Sequence, residues 1–163
     1  MGNRFYEKIN NYMCSHPDFL RRILLLDKLI TIISLISYPV CLIYIFLTNH
    51  ALIFRVFLVP FISFLMVSVV RKYLPFKRPH ELYNIKPLTG NPKEGRAFPS
   101  RHTFSVFMLA ETYLFAISDP IAAVFYIMGI AMALCRVLLG AHEIKDVTAA
   151  CIVALLCGLL YYV

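Results

Sequence analysis

A polytopic, all-α transmembrane helix bundle is the fold class this sequence predicts. Three observations predict it: 60% of the 163 residues are hydrophobic, mean hydropathy is +0.73, and the apolar residues gather into five long runs. Soluble domains use apolar residues at nearer half of their positions. Each run has about the 17–25 residues that a helix needs to cross roughly 30 Å of hydrocarbon.

Residues 1–21 contain Arg4, Glu7, Lys8 and Asp18 and no apolar core. They do not read as a cleavable signal peptide, so the first span must direct insertion itself. Phe5, Ile9, Tyr12 and Met13 recur at helical spacing, which predicts an amphipathic helix lying along the interface. The first span is expected over 23–48, interrupted near its start by Asp27 and Lys28, and the second over 51–70, with Arg55 as its one charge.

Residues 71–101 form the one sizeable non-apolar connection. It carries Pro75, Pro79, Pro87, Gly90, Pro92, Gly95 and Pro99, together with Arg71, Lys72, Lys77, Arg78, Lys86, Lys93, Arg96 and Arg101. The regular prolines and the aromatic Tyr83 and Phe98 predict an ordered cap over one membrane face.

The third span is expected over 102–118, the fourth over 120–139 and the fifth over 147–163. Glu111 lies near the middle of the third, at a cost of about 2.5–3.5 kcal/mol if it faced lipid, so it must face protein or water. Nine residues separate it from His102, which turns it away from that side chain.

The five cysteines form no CxxC pair, and all but Cys14 fall within spans, so neither a disulfide framework nor a zinc site is indicated. Net charge is +7. By alternation of the spans, residues 1–21, the 71–101 loop and the 136–146 turn share one face. Almost every Lys and Arg lies there, which suits anionic headgroups or phosphate. Nucleic acid is excluded as a partner, because there is no basic soluble domain to dock it. The bilayer and a membrane lipid are the expected partners, and oligomeric state is left open.

Three polar clusters meet on that face. The first is 71–79, Arg-Lys-Tyr-Leu-Pro-Phe-Lys-Arg-Pro; the second is 98–103, Phe-Pro-Ser-Arg-His-Thr; the third is 136–146, Arg-Val-Leu-Leu-Gly-Ala-His-Glu-Ile-Lys-Asp. In the third, His142 and Asp146 are four residues apart and share a face if the segment is helical. A carboxylate on one ring nitrogen leaves the other free as base, nucleophile or ligand. Guanidinium groups suit a tetrahedral oxyanion. Ser100 and the first N–H groups of the third span add donors at a positive helix end. The competing reading of these cations is interfacial anchoring by snorkelling.

At these residues the chain resembles the type 2 phosphatidic acid phosphatase superfamily, whose three blocks are K-x6-RP, PSGH and SR-x5-H-x3-D. Here they read Arg71-x6-Arg78-Pro79, Pro99-Ser100-Arg101-His102 and Cys135-Arg136-x5-His142-x3-Asp146, in the same order and with the same spacing within each block. There are three departures. Arg71 stands for the lysine, with Lys72 beside it; Arg101 stands for the glycine; Cys135 stands for the serine.

The resemblance implies a single membrane-embedded phosphatase domain over 1–163, with 71–101 as its active-site loop. His142 would attack phosphorus and form a phosphohistidine, Asp146 would hold its ring, and His102 would serve as general acid and then base. Arg71, Lys72, Arg78, Ser100, Arg101 and Arg136 would hold phosphate oxygens. No metal or other cofactor is expected, because protein cations neutralise the phosphate and that face has no acidic cluster to bind magnesium.

Phosphatidic acid, phosphatidylglycerophosphate and polyprenyl diphosphate fit equally as substrates. The alternatives are a lipid phosphotransferase of the same family and a non-enzymatic headgroup-binding or transport protein. His80 and Glu81, after the first block, are further candidates for substrate contact. The resemblance implies an extracytoplasmic active site, whereas Arg4, Lys8, Arg21 and Arg22 on the same face point the other way by the positive-inside rule.

Overall fold

The computed structural model describes residues 2–89 and 95–163; Gly90, Pro92 and Lys93 of the long loop lie outside the described residues. The elements are α1 (Gly2–Ser15), α2 (Pro17–Thr48), α3 (Ile53–Tyr73), α4 (Pro79–Tyr83), α5 (Arg101–Ala116), α6 (Asp119–Leu138) and α7 (Ile144–Gly158). A 3-10 turn, His50–Leu52, leads into α3, and another, Leu159–Tyr162, extends α7. No strand occurs among the described residues.

Four helical segments are long and apolar enough to cross a membrane: Pro17–Thr48, His50–Tyr73, Asp119–Leu138 and Ile144–Tyr162. Leu35, Leu47, Phe54 and Ile127 on them are largely exposed, as lipid-facing side chains are. The remaining predicted span is α5, whose 16 residues reach roughly 24 Å at 1.5 Å per residue, short of the hydrocarbon thickness. Its place explains its length. Helix α5 is the central element, contacting α2, α3, α6 and α7, and residues from Thr103 to Tyr113 are almost all buried. One side of it (Val106, Leu109, Ala110, Tyr113) packs with Ile30, Cys41 and Met132. Its other side (Phe104, Phe107, Met108) packs with Val67, Ala150 and Tyr161. A helix wrapped by its neighbours need not match the bilayer alone.

Several buried polar groups of the bundle find partners, although the Ser34, Ser63 and Ser68 hydroxyls make no hydrogen bond among the described residues. Tyr126 of α6 donates its hydroxyl to Glu111, and the hydroxyls of Thr112 and Tyr161 pair at 2.8 Å. Glu111 also explains Gly158, since a Cβ there would come within 2.2 Å of the carboxylate; α7 approaches α5 through that glycine. Pro60 inside α3 cannot donate to the carbonyl of Val56, and the Tyr38 hydroxyl of α2 donates to it instead at 3.2 Å.

Helix α1 differs from the expectation. Phe5 and Tyr12 are exposed, but Tyr6, Asn10 and Met13 are buried against the protein. The helix ends at Ser15 rather than 21, because Pro17 starts α2. Asn10 Nδ2 donates to the Lys86 carbonyl at 2.7 Å, and Met13 packs on Leu88 and Leu139. The buried face of α1 therefore covers the long loop, while Phe5 and Tyr12 remain exposed on its other side.

Candidate active site

Where α6 ends, Gly140 adopts φ +63°, a left-handed conformation that glycine reaches without strain. Its N–H bonds Val137 O at 3.0 Å and the Ala141 N–H bonds Arg136 O at 3.0 Å, which is the Schellman pattern of a helix C-terminus. The His142 N–H also reaches Arg136 O, at 3.2 Å. This turn swings His142 back under the end of α6. Helix α7 then starts with Glu143 as N-cap, and Asp146 Oδ2 accepts the Glu143 N–H at 3.0 Å.

His142 thus precedes the helix rather than sharing a helical face with Asp146, yet its Nδ1 lies 3.4 Å from Asp146 Oδ2, both side chains almost fully buried. The N-cap geometry achieves what the four-residue spacing suggested for a helix. Burial, opposed by Asp146, pushes the His142 imidazole down to about 4, so the ring is neutral at pH 7 and keeps a free lone pair. With Nδ1 turned to the carboxylate, Nε2 is the available nitrogen.

Hydrogen bonds join the three sequence blocks into one site. Arg71 Nη1 donates to the carbonyls of Ala97 (3.2 Å) and Pro99, tying the first block to the second. The Ser100 N–H donates to the backbone carbonyl of Asp146 at 3.1 Å, tying the second to the third. Arg78 Nη1 donates to Ala141 O at 3.2 Å, tying the first to the third. Burial lowers the Arg78 guanidinium from its ordinary value, Glu81 opposing; a partly desolvated cation of this kind gains from an incoming anion.

The candidate phosphate ligands divide. Arg71 is buried and Arg78 half-buried, whereas Lys72 is exposed, so the arginine in register is the inward residue. Ser100 is fully buried; its hydroxyl accepts from Thr103 Oγ1 at 3.1 Å and keeps its own hydrogen to donate. The first backbone bond of α5 is Phe104 N–H to Ser100 O, which leaves earlier N–H groups at the helix's positive end. His102 is exposed on the first turn of α5. Arg101 turns away toward α3, its guanidinium 6.0 Å from the Phe64 ring centroid. Arg136 pairs through Nε with Asp27 at 2.9 Å. Among the described residues no three His, Cys, Asp or Glu side chains gather as a metal site.

Glu81 has a structural task. Its carboxylate accepts the N–H groups of Arg78 and Gly95, each at 2.8 Å. Burial raises its pKa, but those two N–H groups outweigh it and hold the carboxyl below its usual range.

Several residues around the site were not legible as such in the sequence. The Tyr6 hydroxyl accepts the Ile144 N–H at 3.0 Å, and its ring stacks on Tyr83 with centroids 5.2 Å apart. Tyr83 in turn donates to Glu143 Oε1 at 2.6 Å, which raises its own phenol to about 12. The first turn of α7 is therefore clasped by α1 and α4. Asp27 carried one signal, a carboxylate inside an apolar span, which by default has a partner or a function.

Between α2, α3 and α5 lies an apolar cavity of about 550 Å³, lined by Tyr38, Phe57, Phe61 and Phe64 among others, with Arg101 and His102 also in its lining.

Comparison with known proteins agrees with this architecture. The structure is similar to that of LpxE from Aquifex aeolicus, with TM-score 0.76, 21% identity, and coverage of 98% of this chain and 93% of that one. It is also similar to a transmembrane PAP2-type phosphatidylglycerolphosphate phosphatase from Bacillus subtilis, with TM-score 0.66, 16% identity, and coverage of 97% and 90%. No curated protein sequence matches the chain significantly. The sequence model of the PAP2 superfamily matches residues 51–163, a stretch that contains all three blocks. The chain belongs to the PAP2 superfamily.

Proposed function

We propose that this membrane phosphatase hydrolyses the phosphate or diphosphate of a membrane lipid through a phosphohistidine on His142. The observation that carries the lipid reading is the apolar cavity whose lining includes Arg101 and His102. A lipid tail lying along Tyr38, Phe61 and Phe64 brings its phosphate to the α5 N-terminus. The two similar structures are of LpxE and of a phosphatidylglycerolphosphate phosphatase, which supports a lipid substrate.

In the proposed reaction, His142 Nε2 attacks phosphorus while the bond to the lipid oxygen breaks. His102, in its protonated form, gives its proton to that oxygen. Asp146 stabilises the charge that develops on the His142 ring. Neutral His102 then takes a proton from water, which attacks phosphorus, breaks the P–N bond and releases inorganic phosphate. Arg71, Arg78, Arg136, Ser100 and the α5 N–H groups hold the non-bridging oxygens.

Comparing kcat/KM for phosphatidic acid, phosphatidylglycerophosphate and polyprenyl diphosphate with that for soluble phosphomonoesters in one detergent tests the reading. All three lipids, or one of them, should be strongly preferred. A preference for the soluble esters would overturn the lipid assignment.

His102→Ala should slow phosphoryl transfer by about 10²–10⁴-fold, the range for a lost general acid. Substrates with good leaving groups need less protonation and should lose less. An equal loss across leaving groups of different pKa would make His102 a binding residue.

The catalytic face is proposed to be extracytoplasmic. Because α1 docks on the catalytic turn, an accessibility label at the N-terminus reads the side of the site directly, and cytoplasmic protection of that label would reverse the assignment.

A further inference from the structure

Asp27 lies nearly three turns into α2, beside Lys28 and between apolar runs, and outside the 51–163 region matched by the superfamily. Its Oδ1 is 2.9 Å from Arg136 Nε, with side-chain exposures of 15% and 11%. Both atoms are buried and, among the described residues, neither makes a hydrogen bond, so the contact is a close ion pair in which each charge is balanced by the other. Among the described residues no carbonyl or carboxylate engages the Nη groups of Arg136.

From this geometry we infer that Asp27 is a positioning residue for catalysis: it holds the Arg136 guanidinium by its ε side and leaves the Nη pair aimed at the phosphate. The inference rests on the proposed role of Arg136 at the phosphate.

The physical reasons are specific. A guanidinium is a planar fork, and fixing one edge of it fixes the other. A buried arginine with no anion would be strongly disfavoured when the site is empty, and would seek backbone carbonyls or solvent by rotating. Asp27 supplies the missing anion from a neighbouring helix. It sits on the edge of the guanidinium that phosphate does not need, so the two anions share the cation instead of competing for the same N–H groups. The pair also explains how α2, which contributes no residue to the three blocks, is held against α6 at the height of the site.

Substrate affinity comes largely from the apolar cavity, so a misaligned Arg136 should show in the chemical step. With phosphatidic acid in detergent micelles, Asp27→Asn should lower kcat by about 10-fold or more while KM changes less than about threefold. Asp27→Glu, which keeps the charge on a longer stem, should retain an intermediate kcat.

A double-mutant cycle separates positioning from stability. In an Arg136→Gln background, Asp27→Asn should have almost no further effect on kcat. Equal losses in both backgrounds would overturn the inference, as would an unchanged kcat with only a lower unfolding temperature. If Asp27→Asn does not fold, the same cycle with Asp27→Glu and Arg136→Lys decides the matter by the same criterion. Failure of the underlying site reading looks different: Arg136→Gln alone would then leave kcat/KM unchanged, removing Arg136 from the phosphate and this role from Asp27.

Discussion

His142→Ala abolishes phosphate release while the protein still inserts and folds; this is the largest effect expected of any single change. Among the described residues no other side chain of the site is placed to take over from the proposed nucleophile. His102 is the other histidine at the site; it sits on the first turn of α5, and among the described residues no carboxylate pairs with it. The fold should tolerate the change because the surrounding turn is held by backbone bonds and by Gly140, not by the imidazole. Phosphate release by purified variant and parent, with unfolding temperatures measured in the same detergent, checks this. Near-normal release from His142→Ala would make a phosphohistidine on this residue untenable. Trapping labelled phosphate on the parent protein after acid-free quenching, and its absence from the variant, would give the same answer from the intermediate's side.

Asp146→Asn should cost about 10³–10⁴-fold in kcat, by analogy with carboxylate–histidine pairs in acyl transfer, where the amide favours the wrong tautomer. The structure makes this substitution unusually clean. Asp146 has two tasks: it faces His142 Nδ1, and it caps α7 by accepting the Glu143 N–H. An asparagine oxygen can still accept that N–H, so the helix start survives while the charge opposite the imidazole is lost. Asp146→Ala removes both and should also lower stability by about 1 kcal/mol, the usual loss on deleting a capping side chain. The pair of variants therefore separates the two tasks: similar kcat losses, with a drop in unfolding temperature for alanine alone. A mild kinetic effect of Asp146→Asn would mean that Asp146 serves the helix and not the ring.

The catalytic turn also depends on parts of the chain far from it in sequence. Tyr6 and Tyr83 hold the first turn of α7 through Ile144 and Glu143. That turn carries Asp146, so α1 and α4 help set the angle at which the carboxylate meets His142. The ion pair of Asp27 with Arg136 ties α2 to the last turn of α6, which leads into the catalytic turn.

What the sequence by itself determined follows from local rules. A run of twenty apolar residues predicts a span because a helix has a constant rise and the bilayer a nearly constant thickness. Alternation of spans then places residues 71–101 and 136–146 on one face, and the spacing within each block brings His142 near Asp146 and Ser100 to a helix start. Those inferences needed no knowledge of which helix packs on which. Tertiary structure alone decided the rest. Arg71 turns inward to loop carbonyls while Lys72 stays exposed; Glu111 meets Tyr126 over a glycine of α7; α1 folds onto a turn 138 residues away; Asp27 pairs with Arg136. Each of these is a contact between elements that carries no periodicity and no fixed spacing. Buried polar groups must find partners in a medium without water, but the chain does not encode locally which partner will be in reach.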